Sequence, residues 1–262
     1  MPPEVTEDAQ IWDSAKDLSS KTLNIIKVFK HGTAETKDSE TDGFSFVKRH
    51  CMHCVDAGCV SVCPVSAMRK DPVTGVVSHH KEACIGCRYC VYACPYNVPK
   101  FELDQAFGQI QKCQFCNQAG VERLDKGQLP GCVEVCPTGA SLFGRRDEML
   151  DEAKKRILLA PGETYVYPRE TIQANKGHEK AAPAYLPSIF GEHQGGGTQV
   201  MHIAGVPFQK LGLPKLADRS YASISEGVQH TIYKGMIAPI LLLGGLAYVI
   251  RKNQNDQDGG ES

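Results

Sequence analysis

The sequence predicts an α+β protein with little regular secondary structure, an irregular arm and one C-terminal transmembrane helix. All twelve cysteines lie between residues 51 and 136, with long flanks on both sides, so one compact module holds them. Short strand-like segments and turns alternate around these cysteines. Residues 235–250 carry no charged side chain, which is typical of a membrane span.

The cysteines form three runs, each of which ends in Cys-Pro. The first run is Cys51, Cys54, Cys59 and Cys63; the second is Cys84, Cys87, Cys90 and Cys94; the third is Cys113, Cys116, Cys132 and Cys136. The second run has the spacing of bacterial ferredoxins, in which three thiolates bind one iron-sulfur cluster and the fourth binds another. The sequence therefore predicts a multi-cluster bacterial ferredoxin-like module that holds 4Fe-4S clusters.

The spacing suits the chemistry, because a tight loop has to direct three sulfurs at one cluster. Gly86 supplies a small residue in the second loop. The proline after each run interrupts the loop and is expected to place the fourth cysteine at the start of a helix, away from its own cluster. Pairs of runs should therefore exchange their fourth ligands.

Two other readings of the cysteines are a structural zinc site and a disulfide framework. Zinc also binds Cys-x2-Cys pairs in sets of four, but it does not require a Cys-x3-Cys-Pro end. Disulfides are typical of small exported domains, and cysteine pairs on tight turns are poorly placed for many separate bridges.

The chain divides into five predicted segments. They are an N-terminal extension over residues 1–50, the iron-sulfur module over 51–144, a helix and an extended partner-binding arm over 145–229, a transmembrane helix over 230–252, and a polar tail over 253–262. Residues 23–29 and 44–47 have strand-forming content and predict a hairpin. Residues 145–159 have apolar side chains at helical spacing.

Charge excludes one class of partner and orients the predicted span. Residues 51–144 carry eight Lys and Arg against eight Asp and Glu, which is no basic footprint for nucleic acid. The apolar segment is short for a span, but Lys234 can reach the interface. Arg251 and Lys252 follow it, so the positive-inside rule places the tail in the cytoplasm and the module on the periplasmic side of the inner membrane. A buried core helix is the alternative.

Longer segments resemble the multi-cluster electron-transfer subunits of membrane-bound oxidoreductases, and among them the membrane-anchored iron-sulfur subunit of hydrogenase 2. The first likeness lies in residues 51–64, 84–99 and 131–140, and the second in residues 120–127, 195–200 and 230–236. The resemblance covers nearly the whole chain. It implies that the chain relays electrons and catalyses no reaction itself.

The resemblance also implies how the cysteines are shared. One cluster takes Cys51, Cys54, Cys59 and Cys94, and a second takes Cys63, Cys84, Cys87 and Cys90. A third, incomplete set consists of Cys113, Cys116 and Cys132, and Cys136 is the ligand of a cluster whose other ligands are absent. Family members carry a fourth cysteine run and an export signal near the N-terminus, and residues 1–50 contain neither. A shortened or misassigned start is the expected explanation.

The partners implied by the resemblance are the hydrogenase small and large subunits and an integral membrane quinone-reactive subunit. Alternatives with the same cysteine pattern are the electron-transfer subunits of a formate dehydrogenase or of a polysulfide- or sulfoxide-type reductase. A zinc-stabilised, membrane-tethered binding module is the alternative from another class.

Overall fold

The computed structural model describes residues 17–31 and 43–258. It divides into two compact units, one that ends at Ala222 and one that begins at Ser223. The first is a mixed helix and strand module, and the second is the C-terminal helix. Most of the predicted N-terminal extension, the loop of its hairpin and the last four residues lie outside the described residues.

The predicted N-terminal hairpin is present. Strand β1 (Ile25–His31) pairs antiparallel with β2 (Gly43–Arg49), and Ile25 lies opposite Arg49. Side chains alternate between the two faces of a strand. Ile25 and Val47 are therefore buried, while the residues next to each of them in its own strand are more exposed. The hairpin thus contributes one face to the core of the module.

The cysteine module is built from short elements. Three helices, α1 (Gly58–Ser61), α2 (Tyr89–Ala93) and α3 (Gly131–Glu134), each carry the third cysteine of a run. Two antiparallel hairpins connect the runs: β3 (Met68–Lys70) with β4 (Val77–His79), and β5 (Lys100–Phe101) with β6 (Ile110–Gln111). The carboxylate of Asp71 accepts hydrogen bonds from the backbone N–H groups of Val73 and Thr74 in the predicted turn.

One local prediction was wrong. The fourth cysteine of each run does not begin a helix but follows the end of one. Cys94 comes directly after α2, and one residue separates Cys63 from α1 and Cys136 from α3. The proline therefore ends a single helical turn, because its ring cannot continue the hydrogen-bonded ladder.

The segment after the module begins with the predicted helix, which is α4 (Arg146–Ile157). A hairpin follows, β7 (Thr164–Pro168) with β8 (Gly177–Ala181), and the sequence did not predict it. The rest of this segment contains no long element, but Phe190, Phe208 and Leu213 are buried in one apolar cluster with Cys51 and Met52. The arm thus forms part of this chain's own core, which the sequence did not predict.

Helix α5 (Ala222–Asp258) makes up the second unit. Its stretch Ala222–Lys252 is long and apolar enough to cross a membrane, and its most apolar window of 18 residues has a mean hydropathy of 1.6. None of its most apolar window is buried within the chain, unlike a core helix of a soluble protein. Pro239 lies inside it, and proline is tolerated in transmembrane helices.

Candidate metal centres

The three Cys-x2-Cys loops share one backbone conformation. The residue just before the second cysteine has a positive φ in each: 46° at His53, 71° at Gly86 and 52° at Phe115. A positive φ costs glycine little, whereas in other residues it stores of order 1–3 kcal/mol and persists only where the surroundings enforce it. The loops are therefore structural repeats, although only one of them contains glycine.

The three Cys-Pro tails are repeats as well. The residue three positions after the fourth cysteine has a φ of 51° at Ser66, 54° at Asn97 and 64° at Gly139. This left-handed turn bends the chain back so that following backbone N–H groups face the cysteine. Those of Ala67 and Met68 lie 3.2 and 3.4 Å from Cys63 Sγ.

Backbone N–H groups face the sulfurs of the other two fourth cysteines, Cys94 and Cys136, in the same way. Burial raises the pKa of the Cys94 thiol, although hydrogen bonds from the backbone N–H groups of Val98 and Tyr96 oppose that rise. Amides directed at a sulfur favour its thiolate form, which is the form that binds metals.

Cys51, Cys54, Cys59 and Cys94 lie together and form the first sulfur set. Burial raises the pKa of the Cys54 thiol to about 12, and negative charge on Cys51 and Cys94 raises it further. Burial likewise raises the pKa of Cys59 well above its usual value, and the same two neighbours add to the effect. The sulfur of Cys94 comes from the second run, so the first set combines three cysteines of the first run with one of the second.

Cys63, Cys84, Cys87 and Cys90 form the second sulfur set. They line one cavity with a free volume of about 300 Å³, including its open mouth, together with Met68 and Ile110. Burial raises the pKa of the Cys90 thiol to about 11, and negative charge on the other three sulfurs raises it further. Cys63 comes from the first run, so this set crosses in the opposite direction.

The third run is less completely grouped. Burial raises the pKa of Cys113 to about 12, and charge on Cys51 and Cys132 adds to the rise. Cys113 therefore lies near both Cys51 of the first set and Cys132, and Cys116 belongs to the same loop as Cys113. The Lys48 ammonium lies 3.5 Å from Cys132 Sγ.

Cys136 stands apart from these three sets. Burial alone would raise the pKa of its thiol, but hydrogen bonds from the backbone N–H groups of Ser141, Thr138 and Ala140 and from the Thr138 side chain lower it. The Thr138 hydroxyl lies 3.7 Å from the sulfur. These hydrogen bonds resemble the ones that Cys63 accepts, and they favour the thiolate form.

Two buried residues near the sulfurs were not assigned a role from the sequence. His53 is fully buried and stacks on Phe115 at a ring-centroid distance of 3.8 Å, while its Nδ1 accepts the Val77 N–H at 2.9 Å. Burial lowers the pKa of His53 well below its usual value, so its ring is neutral. Lys112 is 2% exposed. The only available signal was position, since His53 lies inside a run and Lys112 directly precedes Cys113.

The donor chemistry of the sets fits iron-sulfur clusters. Burial and neighbouring sulfur charge raise the pKa values of the Cys54, Cys59 and Cys90 thiols, and a bound cation reverses that preference and holds the thiolates. Only sulfur donors occur in the first two sets, and thiolates are the usual ligands of cubanes.

These loops define a class of protein, the ferredoxin-like iron-sulfur proteins. In agreement, residues 43–146 match the family model of the 4Fe-4S dicluster domain. The chain carries 4Fe-4S clusters.

Comparison with known proteins identifies the family. The chain is 54% identical over 254 residues to the hydrogenase-2 operon protein HybA of Escherichia coli O157:H7, covering 96% of this chain and 77% of that protein. It is 31% identical over 247 residues to the iron-sulfur subunit of the nitrate-inducible formate dehydrogenase of Escherichia coli strain K12, covering 93% and 71%. The chain belongs to the HybA family, as the sequence predicted.

Proposed function

We propose that this chain is the non-catalytic electron-transfer subunit of a hydrogenase 2. In this role it links a nickel-iron catalytic subunit to a membrane partner that reduces quinone. The observation that carries the proposal is the crossed grouping of sulfurs. Four cysteines from the first and second runs line one cavity, and cysteines of both sets pack around one apolar cluster. Bound cubanes accept and release single electrons, and these residues hold them in one short array.

We propose Cys51, Cys54, Cys59 and Cys94 as the ligands of one cluster and Cys63, Cys84, Cys87 and Cys90 as those of a second. Cys113, Cys116 and Cys132 provide a third, three-sulfur site. Cys136 accepts hydrogen bonds that favour its thiolate form, as in a metal ligand, but it belongs to none of these three sets. The proximity of Cys51 to Cys113 supports a continuous order from the second set through the first to the third.

The surrounding side chains insulate the array. Apolar residues pack between the first two sets, with Ala57, Met68 and Ile110 buried beside Cys90 and against Cys54 and Cys59. The exclusion of water lowers the local dielectric and limits the reorganisation that accompanies a change in charge. No nucleophile or general base is needed for this role.

The identity of the catalytic partner is tested by the electron donor. The complete complex, purified anaerobically from cells, is placed under hydrogen or supplied with formate while its visible absorbance is followed. We expect hydrogen to bleach the iron-sulfur absorbance and formate to have no effect. The greater identity to HybA, 54% against 31%, supports this expectation. Bleaching by formate alone would show that the catalytic partner is a formate dehydrogenase and would contradict the proposal.

We further propose that α5 anchors the chain in the inner membrane. The 31 residues from Ala222 to Lys252 form a helix about 46 Å long, which exceeds the roughly 30 Å of the hydrocarbon core. Arg251 and Lys252 support a cytoplasmic tail and a periplasmic module. Reporter fusions test this: a C-terminal green fluorescent protein should fluoresce and a C-terminal alkaline phosphatase should stay inactive. The opposite pattern would reverse the topology.

A further inference from the structure

Lys112 is a buried cation in the centre of the cysteine module. It follows β6 directly and precedes Cys113, so the short β5–β6 hairpin fixes its backbone. Its side chain is almost completely enclosed, with 2% of the residue exposed. Burying an ammonium group is costly unless negative charge and hydrogen-bond acceptors surround it.

The acceptors around Lys112 Nζ are two carbonyls and one sulfur. Nζ donates to the carbonyl oxygen of Val77 and to that of Cys113, the latter at 2.9 Å. It also lies 3.8 Å from Cys51 Sγ. Among the described residues, no carboxylate forms an ion pair with it. The carbonyls supply partial charges only, so full negative charge has to come from the thiolates.

Several sulfurs respond to this ammonium. Its charge acts on Cys59 and Cys94, which belong to the first set, and on Cys113 in the third run. Together with the contact to Cys51, three of the four sulfurs of the first set face the field of one lysine. In the second set the neighbouring charges that act on Cys90 are those of its own sulfurs.

We propose that Lys112 is a positioning residue that raises the reduction potential of the cluster held by the first sulfur set. A cubane bound by four thiolates is negatively charged, and reduction adds one further electron without a proton. A fixed ammonium near its ligands stabilises that additional charge, most strongly where water is excluded. The cation that lines the cavity of the second set is Arg88, which is exposed, so water screens its charge. The two clusters should therefore differ in potential. This inference rests on the proposed electron-transfer function.

The test is a potentiometric titration with dithionite as reductant, followed by electron paramagnetic resonance, on the full chain with its clusters. Lys112→Met removes the charge and keeps a chain of similar length, and Lys112→Arg keeps the charge. Lys126→Met is the matched control, because Lys126 is exposed and pairs with Glu122. Iron per chain is measured for every sample.

In Lys112→Met we expect the reduced-to-oxidised ratio of one cluster to fall at least tenfold at a fixed potential, a midpoint shift of about 59 mV for one electron. Lys112→Arg should stay near the wild-type midpoint, and Lys126→Met should match wild type. Full iron content with unchanged midpoints in Lys112→Met would overturn the inference.

Loss of iron is also informative. If Lys112→Met loses the first cluster while Lys112→Arg keeps it at the wild-type midpoint, the charge is required and the inference stands. If Lys112→Arg loses it too, the side chain acts by shape, and the inference fails. A wild-type protein without iron would instead refute the proposed function itself.

Discussion

The first and second sulfur sets follow the same ligand pattern but lie in different surroundings. Cys51 is buried, and the arm packs over the first set through Phe190, Phe208 and Leu213. The second set opens to solvent at Cys87, the one exposed cysteine of the twelve, and Ile85 beside it is 66% exposed. The environment supplied by the rest of the chain, rather than the ligands, makes the two sites unequal.

This inequality has chemical consequences. A cluster under apolar cover and beside a buried ammonium is shielded from water and from chelators, and its potential is set by protein charges. A cluster at an open cavity is accessible to solvent and lies closer to any docked partner. The predictions below test how far the two sites differ.

Removal of a crossed ligand should have the largest effect. Cys94→Ala takes a sulfur from the first set although Cys94 belongs to the second run, so we expect iron per chain to fall by about four atoms. Cys63→Ala should cost the second cluster in the same way. Iron and acid-labile sulfide analysis measures both.

Cys136→Ala is the control for those two variants, because Cys136 lies in neither set. Its iron content should equal that of the wild type. If Cys94→Ala retained all its iron, the crossed assignment would be wrong.

Iron removal should separate the two sites by rate. An iron chelator added to the wild-type protein in air should extract the iron of the second set in a fast phase, because the cavity around Cys87 is open, and that of the first set slowly. Mass spectrometry after brief alkylation should find Cys87 modified before Cys51. A single extraction phase with equal modification would show that the arm offers no protection.

Truncating a residue of the arm that packs over the first set should make the first site behave like the second. Phe190 is 3% exposed, and Phe190→Ala should lower the free energy of unfolding by about 3–5 kcal/mol, because it leaves a cavity in the core. The slow phase of iron extraction should then become faster. Leu158→Ala is the control, since Leu158 is 83% exposed and its truncation should change neither quantity.

Acid should weaken the packing over the first set to a smaller extent, through His202, whose ring lies 6.3 Å from that of Phe190. Burial and the charge of Lys48 lower the pKa of His202 to about 4 in the folded protein, from 6.5 in an unfolded chain. Below pH 6.5 the unfolded chain binds a proton that the folded protein excludes, so stability falls as the pH drops towards 4. The slope is at most about 1.4 kcal/mol per pH unit.

The substitution that tests this is His202→Leu, which cannot titrate. Urea unfolding of the metal-free protein at two pH values, one above 6.5 and one near 5, should show a smaller difference for the variant than for the wild type. Equal differences would remove His202 from the explanation.

Sequence predicted the iron-sulfur class of this protein, because the chemistry of cubanes constrains cysteine spacing. The family resemblance implied that Cys63 and Cys94 each bind the cluster of the other run, and this assignment stays a prediction. The hairpin β1–β2 and helix α4 were predicted from composition and periodicity.

Other features were not readable from the sequence. The left-handed conformations of His53 and Phe115 were missed because such a φ is usually signalled by glycine. The packing of Phe190 and Phe208 onto the first set depends on contacts distant in the sequence, and the segment has no periodicity to indicate them. The burial of Lys112 likewise depends on contacts distant in the sequence, so the sequence did not distinguish Lys112 from an exposed lysine.

The central claim is that two crossed sets of four cysteines each hold a cubane. It is tested most directly by measuring iron, zinc and acid-labile sulfide per chain after anaerobic purification. We predict about eight iron atoms with matching sulfide, or about eleven if the three-sulfur site is also filled. About four iron atoms or fewer, or zinc in place of iron, would contradict the account.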